Sequence, residues 1–546
     1  MTAPPNPAPE PRMIHTHTAL GGMVVAPHHL AAQAGRDVLR DGGTAVEAMV
    51  AAAATIAVVY PHMNAIGGDG FWLIHDPAQG SAPPLAIDAC GPAAAAADIG
   101  WYARQGHTQA IPSRGPLAAL TVAGTVGGWA RALASTAGWQ APLPLARLLA
   151  DAIRHAEQGC TVSVSQHGLN HQKLAELRPQ PGFADTYMPG GTVPAVGSLL
   201  RQPALAATLQ ALAQDGLDSF YRGTLAARIA AGLASVGSPV TAADLAAYSA
   251  LLVAPLRVQL QEAEVFNLPP PTQGLAALLI LGLFDRLSVQ QAEGFDHLHG
   301  LVEATKQAFL VRDRVVTDRG RLPADPQSYL EPGALDARAR PIDMQRALPW
   351  PQPAAPGDTI WMGAIDGQGR AVSFIQSVYW EWGSGVVVPD TGICWQNRGI
   401  SFALDPKALN HLQPGRKPFH TLNPSLARFA DGRVMPYGTM GGEGQPQTQA
   451  AVYTRYARFG QPLQQAVSAP RWLLGRTWGD VSTSLKLEPR FDPSLVSQLR
   501  AAGHTVELVA DAFSDTMGHA GALVRHPDGR IEGAFDPRSD GAAAGW

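Results

Sequence analysis

The sequence predicts an α+β protein, and three observations carry that prediction. Residues 130–330 run mostly in helical spacing, broken by loop-like stretches at 178–197 and at Leu268-Pro-Pro-Pro-Thr-Gln-Gly274. Residues 359–546 change character, to short alternating strands, tight turns and a few helices. Between them lies Pro349-Trp-Pro-Gln-Pro-Ala-Ala-Pro-Gly-Asp358, whose prolines build neither a helix nor a central strand.

At 546 residues the chain exceeds what one hydrophobic core usually serves, so two domains or one large layered domain are expected. With 46% apolar and 15% charged residues it reads as a well-buried globular protein. A net charge of -4 without a basic run speaks against nucleic acid as a partner. Cys90, Cys160 and Cys394 lie too far apart for a disulfide framework or a zinc site and read as small buried hydrophobes. Residues 1–22 begin polar and proline-rich, without the basic start and apolar stretch of a signal peptide, and are expected to be a flexible tail on a cytoplasmic protein. The apolar run Ala45 to Val59 carries Glu47 and is too short to span a bilayer.

Taken in order, Leu30 to Arg40 predicts a helix that stops at Asp41-Gly-Gly43. Thr44, with Glu47 three residues on, forms a capping box for the next helix, which ends near Tyr60-Pro61 and must be buried on most sides. Asn64-Ala-Ile-Gly-Gly-Asp-Gly70 precedes a strand at Phe71–His75. Its glycines could cradle a phosphate, but a helix comes before them and a strand after, the reverse of the phosphate-binding patterns, so a tight turn is expected. Trp101 to Gly128 is a loop punctuated by glycine and proline. His297 and His299 stand two apart on a helix and face different ways, so no metal site is expected, and no cofactor. After the linker, Ile360–Ile365 reads as a buried strand, Asp366-Gly-Gln-Gly369 as a turn and Ala371–Ser377 as the returning strand.

Thr359 sits at the joint between loose linker and core strand. Cleavage between Asp358 and Thr359 would place a free α-amine beside its hydroxyl, the terminal-amine form of an activated nucleophile. The same residue also fits an ordinary strand start after a linker.

Several stretches, in order, resemble the gamma-glutamyltransferase family of N-terminal-nucleophile hydrolases. They are Gly42-Gly-Thr-Ala-Val-Glu-Ala48, Gly67-Gly-Asp-Gly-Phe71, Gly124-Thr-Val-Gly-Gly128, Leu268-Pro-Pro-Pro271, Asp358-Thr359, Gly438-Thr-Met-Gly-Gly442, Pro470-Arg-Trp472 and Asp536-Pro-Arg-Ser539. The resemblance implies a four-layer αββα sandwich that cuts itself into two chains which stay together. The large subunit would be residues 23–358 with the tail, and the small one 359–546. It implies Thr359 as nucleophile, its own amine as base, Gly441 and Gly442 as the oxyanion hole, and Ser377 near the nucleophile. An α-amine pKa of about 7.7–8.0 suits the task of accepting the hydroxyl proton.

The implied substrate pocket departs from the family. Ala97 stands where a glutamyl enzyme holds the α-carboxylate with arginine, and His420-Thr421 replaces two small hydroxyl residues. Tyr379, Arg398 and Ser401 replace the groups that hold an α-ammonium. Arg398 repels an ammonium and offers a planar fork to a carboxylate, and Tyr379 shortens the cavity. The expected partner is therefore a small anionic amide, with Arg114 as a second anion anchor. A rearranged glutamyl enzyme, a glutaryl-type acylase and an uncleaved, non-catalytic member are the alternatives. Further dimerisation and a lid at residues 404–415 stay open.

Overall fold

The computed structural model describes residues 14–350, 358–475 and 483–546. Most of the expected linker (351–357), the first thirteen residues of the expected tail and the Asp358 side chain lie outside the described residues. Strands β1 (His17–Ala19), β2 (Gly22–Ala26), β3 (Asp69–His75), β4 (Leu85–Ala89), β5 (Leu251–Val253), β6 (Leu256–Gln259) and β7 (Ala263–Asn267) precede the linker. Strands β8 (Asp358–Asp366), β9 (Ala371–Tyr379), β10 (Ser425–Phe429), β11 (Val434–Thr439), β12 (Ala520–Arg525), β13 (Ile531–Phe535) and β14 (Ala542–Gly545) follow it. They form two seven-stranded sheets, in the orders β14-β2-β8-β9-β3-β4-β5 and β1-β13-β12-β11-β10-β7-β6.

Side-chain alternation along β8 shows how the layers arise. Ile360, Met362 and Ala364 face a helical layer, whereas Trp361 and Ile365 face the other sheet. Trp361 meets Phe71, Ile375, Leu426 and Leu523 there and donates to Ser373 Oγ at 2.9 Å. Gly438 and Gly521 of the second sheet make room for its ring, since a Cβ on either would lie 2.2 or 2.6 Å from it.

Helices α1 (His29–Arg40) and α2 (Ala45–Val59) cover the outer face of the first sheet. The small side chains of α2 let it sit with all its residues buried, and its N-terminal N–H groups are satisfied by the expected capping box of Thr44 and Glu47. Helices α3 (Gly274–Phe284) and α5 (Gln445–Tyr453) cover the second sheet, with α4 (Phe295–Val315) packed against them. This is the four-layer αββα sandwich.

The division into a helical half and a strand-rich half does not describe the sheets. Residues before the linker supply seven strands, including β5–β7 inside the stretch read as helical. Those strands are three to five residues long, and β6 reads Leu-Arg-Val-Gln, too short for its alternation to stand out from the helical spacing around it. Within the expected tail, β1 pairs antiparallel with β13, His17 opposite Gly533.

Candidate active site

Three strand ends converge where the sheets face each other. Alternation from Trp361, Ile375 and Phe71 puts Thr359, Ser377 and Asp69 on the same inter-sheet face. Ser377 is directly opposite Asp69 in the β9–β3 register. The β8–β9 register shifts between Asp358 and Ile360, so Thr359 occupies a bulge, a device that re-aims a side chain. Thr359 is fully buried, and Gln445 Nε2, at the start of α5, donates to its Oγ1 at 3.2 Å. Ser377 Oγ accepts from the Tyr379 N–H at 2.7 Å.

The turn Met440-Gly441-Gly442 joins β11 to the start of α5. Gly441 has φ +120° and Gly442 φ +53°, conformations that favour glycine. Gln273 Nε2 donates to the carbonyls of both Gly442 and Thr421, each at 2.8 Å, which ties the turn to the pocket wall. Arg312 holds Gln273 Oε1 at 3.3 Å and Glu443 Oε2 at 3.0 Å. Among the described residues, neither the Gly441 nor the Gly442 N–H donates to a loop or turn carbonyl. Beside the positive end of α5, two such donors suit a developing oxyanion.

Arg398 is the pocket's cation. It is 0% exposed, its Cζ lies 3.7 Å from the centroid of the Tyr379 ring, and Nη1 donates to Thr421 Oγ1 at 3.2 Å. Among the described residues, its Nε and Nη2, the two donors of its side-on fork, have no hydrogen-bond partner. Burial lowers its pKa to about 10, with Tyr379 and Asp69 opposing, so it stays charged at neutral pH. Tyr379 itself has φ +85°, a strained conformation for a bulky residue.

Next to Arg398 lies a buried pair. His420 Nε2 is 3.0 Å from Asp69 Oδ2, while Asp69 Oδ1 accepts from Gly91 N, Gly124 N and Gln396 Nε2, each at 3.1 Å. Burial raises Asp69 to a pKa of about 7 against the opposing pull of Arg398. Burial, Arg398 and Lys417 push His420 well below the usual histidine range.

Thr359, Ser377, Tyr379, Arg398, His420, Thr421, Gly441 and Gly442 thus fall in one buried cluster, linked through Gln445, Gln273 and Asp69. Arg114 does not join them. Its guanidinium is spent on the Glu381 carbonyl at 2.6 Å, the Gly383 carbonyl and Glu176, and it lies beside Trp380. Ser401 Oγ donates to the carbonyls of Arg398 and Phe419. A cleft of about 340 Å³ adjoins the pocket, lined by Tyr379, Trp380, Ile400, Ser401, Phe419 and Glu443 among others. Asn410, from the loop considered as a lid, also lines it, and Arg416 pins that loop through the carbonyls of Leu409 and His411.

His299 and Glu303 of α4 approach His504, with ligand atoms within 4.8 Å of one another, a metal-capable set. Its atoms already serve one another. His299 Nδ1 and His504 Nε2 share a hydrogen bond at 2.8 Å, and Lys306 Nζ lies 2.7 Å from Glu303 Oε1. His297 turns away to Thr454 Oγ1.

Sequence reasoning gave no role to Asp69, Gln445 or Gln273. Asp69 was visible as the one acid inside a glycine loop, and Gln445 as a polar residue just past the paired glycines. Nothing local marks Gln273, whose role depends on two carbonyls far along the chain.

Stacked sheets between helical layers, with a threonine at a strand start whose hydroxyl meets the helix that follows a two-glycine turn, define an N-terminal-nucleophile hydrolase fold. The chain belongs to the Gamma-glutamyltranspeptidase family, which matches residues 31–546. It is 57% identical over 535 residues to an oxamate amidohydrolase proenzyme of Klebsiella pneumoniae, covering 98% of this chain and 100% of that protein. It is 38% identical over 525 residues to a glutathione hydrolase-like proenzyme of Bacillus subtilis, covering 96% and 98%. The crystal structure of a cephalosporin acylase from Bacillus halodurans superposes with a TM-score of 0.89 at 33% identity, covering 100% of this chain and 99% of that one.

Proposed function

We propose that the protein is a self-processing amidohydrolase that takes a small anionic amide, oxamate, to oxalate and ammonia. The observation that carries this reading is Arg398, a buried cation with an unfilled fork, hydrogen-bonded to Thr421, whose carbonyl shares the Gln273 amide with that of Gly442. A guanidinium there attracts a carboxylate and repels the α-ammonium of a glutamyl group. The 57% identity to an oxamate amidohydrolase supports the same substrate.

In this mechanism, cleavage before Thr359 frees its α-amine, which accepts the Oγ1 proton as the hydroxyl attacks the amide carbonyl. The Gly441 and Gly442 N–H groups stabilise the tetrahedral oxyanion. Gln445 orients Oγ1, and Ser377 lies beside the nucleophile. The C–N bond breaks as the amine returns the proton to nitrogen, and ammonia leaves. Water, deprotonated by the same amine, attacks the acyl-enzyme, and oxalate departs with Oγ1 protonated again. Arg398, with Tyr379, His420 and Thr421 around it, anchors the carboxylate that does not react. The large subunit ends at Asp358 and the small one begins at Thr359.

A place in purine breakdown comes to this reading with the resemblance. Among the described residues, no helix is long and apolar enough to cross a membrane.

The test is ammonia release from oxamate, small monoamides and glutamine, alongside a denaturing gel. Wild type should run as two chains and prefer oxamate, whereas Thr359→Ala should stay one chain and release no ammonia. Activity in an uncut chain ends the proposal. Preference for a γ-glutamyl anilide moves the protein to the glutamyl reading, and preference for a glutaryl amide to the acylase reading.

A further inference from the structure

Three polar atoms of Arg398 and His420, namely Arg398 Nε, Arg398 Nη2 and His420 Nδ1, are fully buried and unpartnered among the described residues. Two follow from the anion anchor already described. The third does not, because a neutral imidazole with Nε2 facing an ionised Asp69 keeps its proton on Nε2. Nδ1 is then a bare acceptor, the wrong polarity beside a bound carboxylate. Charge raises the same difficulty. Ionised Asp69 next to Arg398 gives a neutral pocket with little pull on an anion.

One proton resolves both. We propose that Asp69 and His420 form a proton-loaded pair that completes the anion site: with a proton on Asp69, its Oδ2–H donates to His420 Nε2, the imidazole proton moves to Nδ1, and Nδ1–H joins Arg398 Nε and Nη2 in donating to the substrate carboxylate. The loaded pair is neutral, so Arg398 supplies a net positive pocket matched to a single negative charge. The proton comes from solvent as the anion binds.

The surroundings favour this arrangement. Asp69 is buried where its neutral form is readily reached, with a pKa of about 7. Its Oδ1 accepts three N–H donors, which leaves Oδ2 as the protonation site. The groups facing the pair are Arg398 and Lys417, with Cys90, Tyr221 and Tyr248 buried nearby. Lys417 pairs with Asp88 at 3.0 Å, a carboxylate it shares with the half-exposed Arg319 at 3.3 Å. Among the described residues, Arg398 is thus the cation bearing on the pair that has no carboxylate in a salt bridge of its own. The anion replaces Asp69 as its counter-charge.

This inference rests on the oxamate reading and is tested with oxalate on processed enzyme. Calorimetric titration in two buffers of different ionisation enthalpy, between about pH 6 and about pH 9, should show proton uptake rising toward one per oxalate above the Asp69 pKa. The Kd should weaken by up to about tenfold per pH unit there. Asp69→Asn keeps an Oδ1 for the three N–H donors and gives His420 Nε2 a permanent N–H donor. Its two-chain pattern on a gel reports folding, and its proton uptake on binding oxalate should vanish while the Kd becomes flat with pH. Uptake that persists in D69N belongs to the Thr359 amine and overturns the proposal. If D69N does not process, infrared difference spectra of wild type decide instead: a carboxylic-acid C=O band must appear on adding oxalate, and its absence overturns the proposal. Tight oxalate binding with no pH dependence defeats this inference alone. No oxalate binding at any pH defeats the oxamate reading with it.

Discussion

Arg398 and Arg114 are the same residue type in neighbouring walls, and their surroundings give them different work. Arg114 spends its donors on two backbone carbonyls and on Glu176, so it braces the turn at 381–383. Among the described residues, the Arg398 side chain makes one hydrogen bond, to a hydroxyl, and lies on an aromatic face. A buried cation left this way carries a desolvation cost that an incoming carboxylate offsets. Replacing Arg398 with Ala should therefore weaken binding of oxamate by about 2–5 kcal/mol, the range for truncating one partner of a buried charge pair. Lysine should restore little of this, because one ammonium cannot present two parallel donors. Steady-state kinetics check both, with the two-chain pattern on a gel as control. An Arg398→Ala enzyme with unchanged KM for oxamate removes the arginine from the pocket's chemistry.

At the scale of elements, the site exists because β3 and β9 approach closely where Asp69 meets Ser377. Gly68 permits that approach, since a Cβ there would lie 2.1 Å from the Ser377 carbonyl oxygen. Neither strand can give way without displacing Ser377 or Asp69. Gly68→Ala should cost at least the about 1–3 kcal/mol typical of overpacking and should slow chain cleavage, seen as a lower Tm and residual full-length protein. Gly138→Ala, with nothing within 4 Å of its added Cβ, should do neither. An unaltered Gly68→Ala protein contradicts this account of the loop.

The same elements show how far sequence alone reaches. The β8–β9 hairpin was legible because an apolar run, a Gly-containing turn and a second run follow one another directly. So was the capped start of α2, which needs only Thr44 and Glu47. Pairing across long separations was not legible. Asp69 and His420 stand 351 residues apart in sequence, and no local pattern joins an acid in a glycine loop to a histidine between a proline-rich stretch and a strand. The resemblance supplied His420 as a pocket position, but its partner emerged only from the 3.0 Å contact between the two side chains.

For the whole molecule, cleavage before Thr359 opens the chain without opening the fold. The first sheet takes β2, β3, β4 and β5 from before the linker and β8, β9 and β14 from after it; the second takes β1, β6 and β7 from before and β10 to β13 from after. The new terminus would be the first residue of what remains of β8, which pairs with β2 on one edge and β9 on the other. Between the sheets, Met23, Phe71 and Phe266 from one side of the cut pack with Trp361, Leu426 and Leu523 from the other. Separating the products would expose that core and leave strand edges of both sheets unpaired, each a large cost in water. The processed protein should therefore give two bands on a denaturing gel, one peak on non-denaturing gel filtration and a single cooperative unfolding transition. Fragments that elute apart, or that melt in two independent steps, would show that the sheets do not bind the halves together, and the pocket built across them could not persist after cleavage.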